Sequence, residues 1–380
     1  MGKCGPSHCA WPALAALILG LGIGNISAAS VYIAAEQCLA PAPSATVPDY
    51  VMKYAPLIWI HSQDPYQPSD IGAQLKNSIP MINHVAIPNV PTDITLNNLD
   101  QLNKLGGNKV CLTSKEGIQA LPAWFRGVKP NKDGKTEGAV SSAIVVREHG
   151  DEGKTVDAFY FYFYAYNQGN TVLGIEFGDH VGDCQHAAGQ AFQYSATDKR
   201  GVRPIGFSGN GTHAVYATAG LLVQQKTMCA NLGRTHDHTI PGLDLPAGFL
   251  EDETDEGTLW DPTLSAYVYS YSSTTGLFTP YDPSTPTNWL YYQGHWGDEQ
   301  LPDDAPGQIE LFGQRKYSTG PDGPMFKELV REKVCPSGVK LCLVLPWVTA
   351  VKEEKRKQML ADLVKEELER ESKKHSKPLE

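Results

Sequence analysis

Residues Val156 to Asn167 read VDAFYFYFYAYN, and the chain continues through VLGIEF (172–177) into GDHVGDCQH (178–186). Phe159, Phe161 and Phe163 alternate with Tyr160, Tyr162, Tyr164 and Tyr166, and a period of two is the signature of a β-strand. One face of that strand is wholly apolar and the other carries hydroxyls. A second strand, Thr171 to Phe177, then delivers Asp179, His180 and Asp183 into a glycine-punctuated loop. The stretch therefore joins a β-scaffold to a candidate polar site.

Composition supports that reading. Among 380 residues there are 36 glycines, 27 prolines and 17 tyrosines, which suits short strands joined by many turns. The expected fold class is mainly β: an antiparallel β-sandwich-like domain with long loops and a C-terminal helix. A formal net charge of −10 excludes nucleic acid as the main partner, because phosphate binding needs a concentrated basic footprint. Ile58 and Ile60 alternate with Trp59 and His61 in a further strand, and Tyr267 to Tyr271 makes another. Leu96, Leu99, Leu102 and Leu105 stand at threefold spacing before Gly106, which predicts a short helix closed by glycine.

The ends differ in kind from this centre. Residues 1–29 hold one Lys, an apolar run from Ala10 to Ile26 and small residues at Ser27, Ala28 and Ala29, the order of a signal peptide. An uncleaved anchor is the alternative, although Ala13 to Ile23 is short for a membrane span; after cleavage no transmembrane span is expected. Residues 30–48, ending in PAPSATVP, read as a linker, residues 49–350 as the β domain, and residues 351–380 as a charged helical tail. The implied location is the secretory pathway, either extracellular or the vacuolar lumen. Cys335 and Cys342 bracket a turn and are the first choice for a disulfide bond, with Cys38–Cys111 a second pairing.

Three groups of residues carry candidate chemistry. Asp179, His180 and Asp183 offer oxygen and imidazole ligands in a glycine-flanked loop, suited to a calcium or magnesium ion; the alternative is Asp side chains capping turn amides. His236 and His238 flank Asp237 and point the same way if extended, so both could face one ligand or metal. His213 follows a tight turn in SGNGTH, where Asn210 and Thr212 also form a glycosylation sequon. His61 and Asp64, in HSQDPYQPSD, are read as a structural pair across a turn. No GxSxG surrounds Ser195 or Ser208, which removes a nucleophile elbow.

Several segments in shared order resemble the vacuolar protein sorting-associated protein 62 family, which includes many fungal secreted members. They are YAPLIWIHSQDPYQPSDIGAQL, FYFYFYAYNQGNTVLGIEFGDHVGD, GQAFQYSATDKRGVRPIGFSGNGTHAVYATAG, THDHTIPGLDLP, GTLWDPTLSAY and HWGDEQLPDDAPGQ. The resemblance brings a vacuolar delivery association and no established reaction. A more distant similarity is to necrosis- and ethylene-inducing-like proteins, β-sandwiches that bind a divalent cation. His180 and Asp183 match the outer His and the Asp of their signature, while Gly182 stands where an inner His would be.

Two departures from the family pattern stand out. After Asp183 the family continues with Trp-Glu-His and a further strand, whereas here Cys184, Gln185 and His186 follow at once. Roughly twenty to thirty residues are missing by this comparison, about one or two strands' worth. Conversely, Leu221 to Arg234 stand as an insert before THDHT. Both are what misplaced intron boundaries would produce. The expected function is non-enzymatic: metal-supported binding of a membrane component or glycan. The alternatives are a metal-dependent hydrolase working through His213, His236 and His238, and a sorting adaptor acting through its C-terminal helix.

Overall fold

Val156–Asn167 forms one uninterrupted strand of 12 residues, and the rest of the architecture is arranged around it. The computed structural model describes residues 46–149, 156–172, 174–186, 203–216, 218–223, 251–311 and 314–330, all within a unit that starts at Pro43. The signal segment, most of the linker, Cys38, the Cys335–Cys342 pair, His236, His238 and the helical tail lie outside the described residues.

The main strands are β1 (Leu57–Ile60), β2 (Ser142–Glu148), β3 (Val156–Asn167), β4 (His180–His186), β5 (Ile205–Ser208), β6 (Val215–Tyr216), β7 (Thr258–Trp260), β8 (Ala266–Ser272) and β9 (Leu277–Pro280). Two sheets are built from them, a five-stranded one in the order β9-β8-β2-β3-β4 and a four-stranded one in the order β6-β5-β1-β7. The fold is mainly β, but the sheets are mixed: β1 pairs parallel with β5, and β8 parallel with β2. The expected antiparallel pairing therefore holds for most strand pairs and gives way to parallel pairing at these two. Parallel neighbours need long crossovers, and the segments between β1 and β5 and between β2 and β8 supply the length.

Both faces of β3 are buried. Its phenylalanines pack with Leu99, Leu102, Val145, Trp289 and Trp296. Tyr160, Tyr162 and Tyr164 pack with Ile58, Ile60 and Trp260 of the four-stranded sheet. Each such side chain fully removed from water stabilises the fold by about 1.5–3 kcal/mol. Tyr160 keeps its polar end satisfied by donating to the Val51 carbonyl at 2.6 Å. The buried Arg203 ties the four-stranded sheet together, donating to the Ala55 carbonyl at 2.7 Å and gripping Asp261 through both terminal nitrogens at 2.5 and 2.8 Å. A two-pronged guanidinium–carboxylate contact fixes orientation as well as distance.

The leucine ladder folds largely as its spacing suggests. Leu99–Leu102 is a 3-10 turn followed by a helical turn at Asn103–Gly106, and threefold spacing lies along one face of a 3-10 helix. Leu96, Leu99 and Leu102 are buried while Leu105 is exposed. The residue with positive φ that ends the helix is Gly107, at +59°, one place beyond Gly106.

Edge strand β4 is seated by a seam of glycines. Gly182 has φ +68°, and a Cβ there would lie 1.8 Å from the Trp296 carbonyl oxygen. Across the same contact, a Cβ on Gly297 would lie 1.8 Å from the Val181 carbonyl. Gly182→Ala adds both strain and a backbone collision, so a loss on the order of 3 kcal/mol or more is expected in urea unfolding. A loss below 1 kcal/mol would contradict the seam.

Nearby, the buried Asp298 accepts the Ser114 amide at 2.7 Å. Burial pushes its carboxyl up to about 6, with the Ser114 and Ile118 amides and His84 offsetting only part of the shift. The folded protein thus holds this proton more tightly than the unfolded chain, whose aspartates titrate near ~3.9. The associated stabilisation, at most about 3 kcal/mol, is complete below that value and lost as pH rises through about 6. Urea midpoints measured across this window should fall with rising pH in the native chain and flatten in Asp298→Asn; parallel slopes would contradict the assignment.

Candidate functional site

Asp183 lies opposite Tyr164 in the β3–β4 register, and directly opposed residues share a sheet face. Its carboxylate therefore enters the tyrosine side, beneath the four-stranded sheet. From that sheet, the turn between β5 and β6 delivers His213, whose backbone takes φ +56°. The imidazole stacks on Tyr164 with ring centroids 3.7 Å apart and planes 4° from parallel. The third member is Asp64, at the turn after β1.

The three side chains form a closed ion triad. His213 Nδ1 is 3.1 Å from Asp183 Oδ2, and Nε2 is 3.5 Å from Asp64 Oδ2. Side-chain exposures are 0% for His213, 0% for Asp64 and 4% for Asp183. Asp64 is held in turn by the Tyr66 amide on Oδ1 at 2.8 Å and the Gly211 amide on Oδ2 at 2.9 Å. Burial alone would push the His213 imidazolium down, but the Asp64 and Asp183 carboxylates outweigh it and hold the ring up at about 9. His213 is thus the cation that makes two buried carboxylates tolerable.

His180 is adjacent but differently used. It is 5% exposed and its Nδ1–H donates to the Gly182 carbonyl at 2.7 Å. Burial pushes its pKa down in spite of Asp183, leaving a neutral ring.

Asp179 belongs to a second cluster. Its Oδ1 accepts the Gly169 amide at 2.8 Å, and its Oδ2 accepts from Lys316 Nζ at 3.0 Å. Lys316 also reaches Glu176 Oε2 at 2.8 Å, and Gln168 donates to the same carboxylate group. Burial raises the Asp179 carboxyl more than these bonds lower it. The Asp179–His180–Asp183 run is therefore divided between two sites by the strand that carries it. Among the described residues, no three His, Cys, Asp or Glu side chains are grouped to hold a metal ion.

Other residues singled out in the sequence find varied places. His61 does not pair with the Asp64 side chain; its Nε2 sits 3.6 Å from Asp255. Asn210 is half-buried in the tight turn, and the Thr212 hydroxyl is buried, donating to Asp252 at 2.7 Å. Cys111 and Cys184 are buried free thiols, so Cys111 makes no disulfide. Burial pushes both up to about 12. Asp64, Glu176 and Lys316 are the site residues that sequence reasoning missed. For Asp64 a signal existed in HSQDPYQPSD, but its partners stand 119 and 149 positions away at Asp183 and His213.

Removing the cation of the triad strands two buried charges. His213→Ala is expected to cost about 3–5 kcal/mol, the range for breaking a buried ion pair, measured by chemical denaturation. A cost under 1 kcal/mol would show that the triad does not hold the fold.

The chain is 32% identical over 346 aligned residues to the putative vacuolar protein sorting-associated protein TDA6 of Saccharomyces cerevisiae, covering 77% of this chain and 69% of that relative. It is 29% identical over 338 residues to vacuolar protein sorting-associated protein 62 of the same yeast, covering 76% and 68%. No protein-family model matches the sequence, and no solved structure gives a significant match. With this identity over this coverage, and with the family's shared segments forming β1, β3, β4 and the β5–β6 turn around one ion triad, the chain belongs to the vacuolar protein sorting-associated protein 62 family.

Proposed function

We propose that this chain is a non-enzymatic binding protein of the secretory pathway, acting outside the cell or in the vacuolar lumen, that recognises a membrane component or glycan. The observation that carries this reading is the closure of the triad. Asp64, Asp183 and His213 have side chains at most 4% exposed, and the two carboxylates flank the imidazole. Turnover asks for a poised nucleophile or base near neutral pH. Instead, burial raises the Cys111 and Cys184 thiols to about 12 and raises the Tyr164 phenol further. These groups are held protonated, as structural groups are.

In this reading the two larger sheets stack in a sandwich-like manner and the triad sets the position of the loops around them. A divalent cation, calcium or magnesium, supports the same region from Asp183 and His180. His236 and His238, beyond the described residues, are the further candidate ligands. Hard cations favour oxygen ligands and gain from a carboxylate already positioned.

Thermal unfolding of the intact chain with calcium, with magnesium and with chelator tests the cation. A rise in midpoint with either ion that disappears in Asp183→Asn supports it, because a ligand that binds only the folded state stabilises that state. Identical midpoints in all three conditions would remove the cation from the account. Chelator-sensitive hydrolysis of esters, phosphates or glycosides by the pure chain would overturn the non-enzymatic reading itself.

A further inference from the structure

The triad is too deeply buried to meet a glycan or a membrane component, so a binding protein of this build needs a recognition surface elsewhere. Such a surface lies where Asp179 was found. Tyr66, Ile118, Phe125, Tyr166 and Val181 form a small buried cluster, rimmed by the half-buried Trp124, Leu301 and Tyr317. The rings brace one another: Phe125 stacks on Tyr166 at 4.8 Å, Tyr66 meets Tyr166 at 4.7 Å, and Trp124 meets Phe125 edge-on at 4.6 Å. Braced from beneath by these buried rings, the half-buried Trp124 and Tyr317 present area to a ligand with little further loss of entropy.

Polar groups with hydrogen-bonding capacity stand beside the rim. Tyr66 feels Glu176, Asp179 and Arg126, while Tyr317 feels Lys316, Asp179 and Glu176. Burial comes first among the causes that raise both phenols, so each keeps its O–H. Trp124 Nε1 and Gln67 Oε1 are buried atoms with no hydrogen-bond partner among the described residues. They sit on segments joined by the Gln67 amide to Arg126 carbonyl bond at 3.0 Å. A buried donor and a buried acceptor on these two linked segments are costly unless something pairs with them.

Charge narrows the ligand. Glu176 and Asp179 are balanced by Lys316 and Arg126, so an anionic headgroup or acidic sugar gains nothing overall from the cations. A polyhydroxylated ring has an apolar C–H face for an aromatic side chain and hydroxyls that both donate and accept. We propose that the surface bounded by Trp124, Tyr66, Tyr317, Glu176, Lys316 and Arg126 is a carbohydrate-binding site for a neutral sugar ring. The assignment rests on the binding-protein reading and selects the glycan from its two ligand classes.

The test places the intact chain, Trp124→Ala and Glu176→Gln on an array of neutral and acidic oligosaccharides, and in parallel on neutral and anionic phospholipid vesicles. Circular dichroism of each variant checks that it is folded. The expected result is binding to neutral saccharides, weaker binding to acidic ones, and at least a tenfold loss of affinity in both variants. Saccharide binding that survives both substitutions at full strength overturns the placement of the site. Binding to vesicles with a silent array overturns the carbohydrate assignment and leaves the binding-protein reading standing. Silence on both surfaces overturns the two together.

Discussion

Two carboxylates and one imidazolium, shut between two sheets, are the constraint on which the centre of this structure depends. An isolated charge in such a place would cost several kcal/mol even after relaxation, and Asp64 and Asp183 are both there. His213 reconciles them by presenting one ring nitrogen to each. Its stacking on Tyr164 fixes the plane of the ring, and the tight turn from Gly209 to Thr212 fixes its reach. The first strand's turn, the edge strand and the β5–β6 turn are thereby locked in one arrangement, although they are far apart in sequence.

Much of the fold was legible because the alternation in Val156–Asn167 can belong only to a strand with two distinct faces. What alternation could not tell is that hydroxyl-bearing tyrosines would be buried as completely as phenylalanines. A tyrosine reads as half-polar in sequence, but its ring buries well once a second sheet covers it, as Trp260 and Ile58 do for Tyr162 and Tyr164. Parallel pairing was also hidden, since strand direction depends on where long connections return. The site was legible in part: Asp183 and His213 carry the triad, while Asp179, four positions before Asp183 and so about 13 Å away along an extended chain, turns to Lys316 instead. Asp64 could not be placed from its own neighbourhood, where turn capping explains it equally well. It does cap the turn, and it serves the triad with the other oxygen.

The departure after Asp183 has a clear structural setting. Strand β4 runs unbroken from His180 to His186 and pairs with β3 through that junction. It is the outer strand of its sheet, with no described strand on its far side. The strands that the family pattern leads one to expect after Asp183 would fall beside this outer strand. The first residues of the Leu221–Arg234 segment lie in a strand, as Gly220–Val223 pairs with Glu251–Thr254. An open sheet edge is a template for unwanted pairing, and the glycine seam sets β4 against Trp296 and Gly297.

Division of labour follows from the geometry. Groups best suited to strong electrostatics are sealed inside and hold the loops, while Trp124, Tyr317, Glu176 and Lys316 are half-buried. The central claim concerns the charge on one ring. Following the His213 ring nitrogens by NMR in metal-free protein across neutral pH measures it directly. The account predicts both nitrogens protonated at neutrality, with the proton lost only near pH 9. A neutral ring at pH 7, carrying its proton on a single nitrogen, would contradict it.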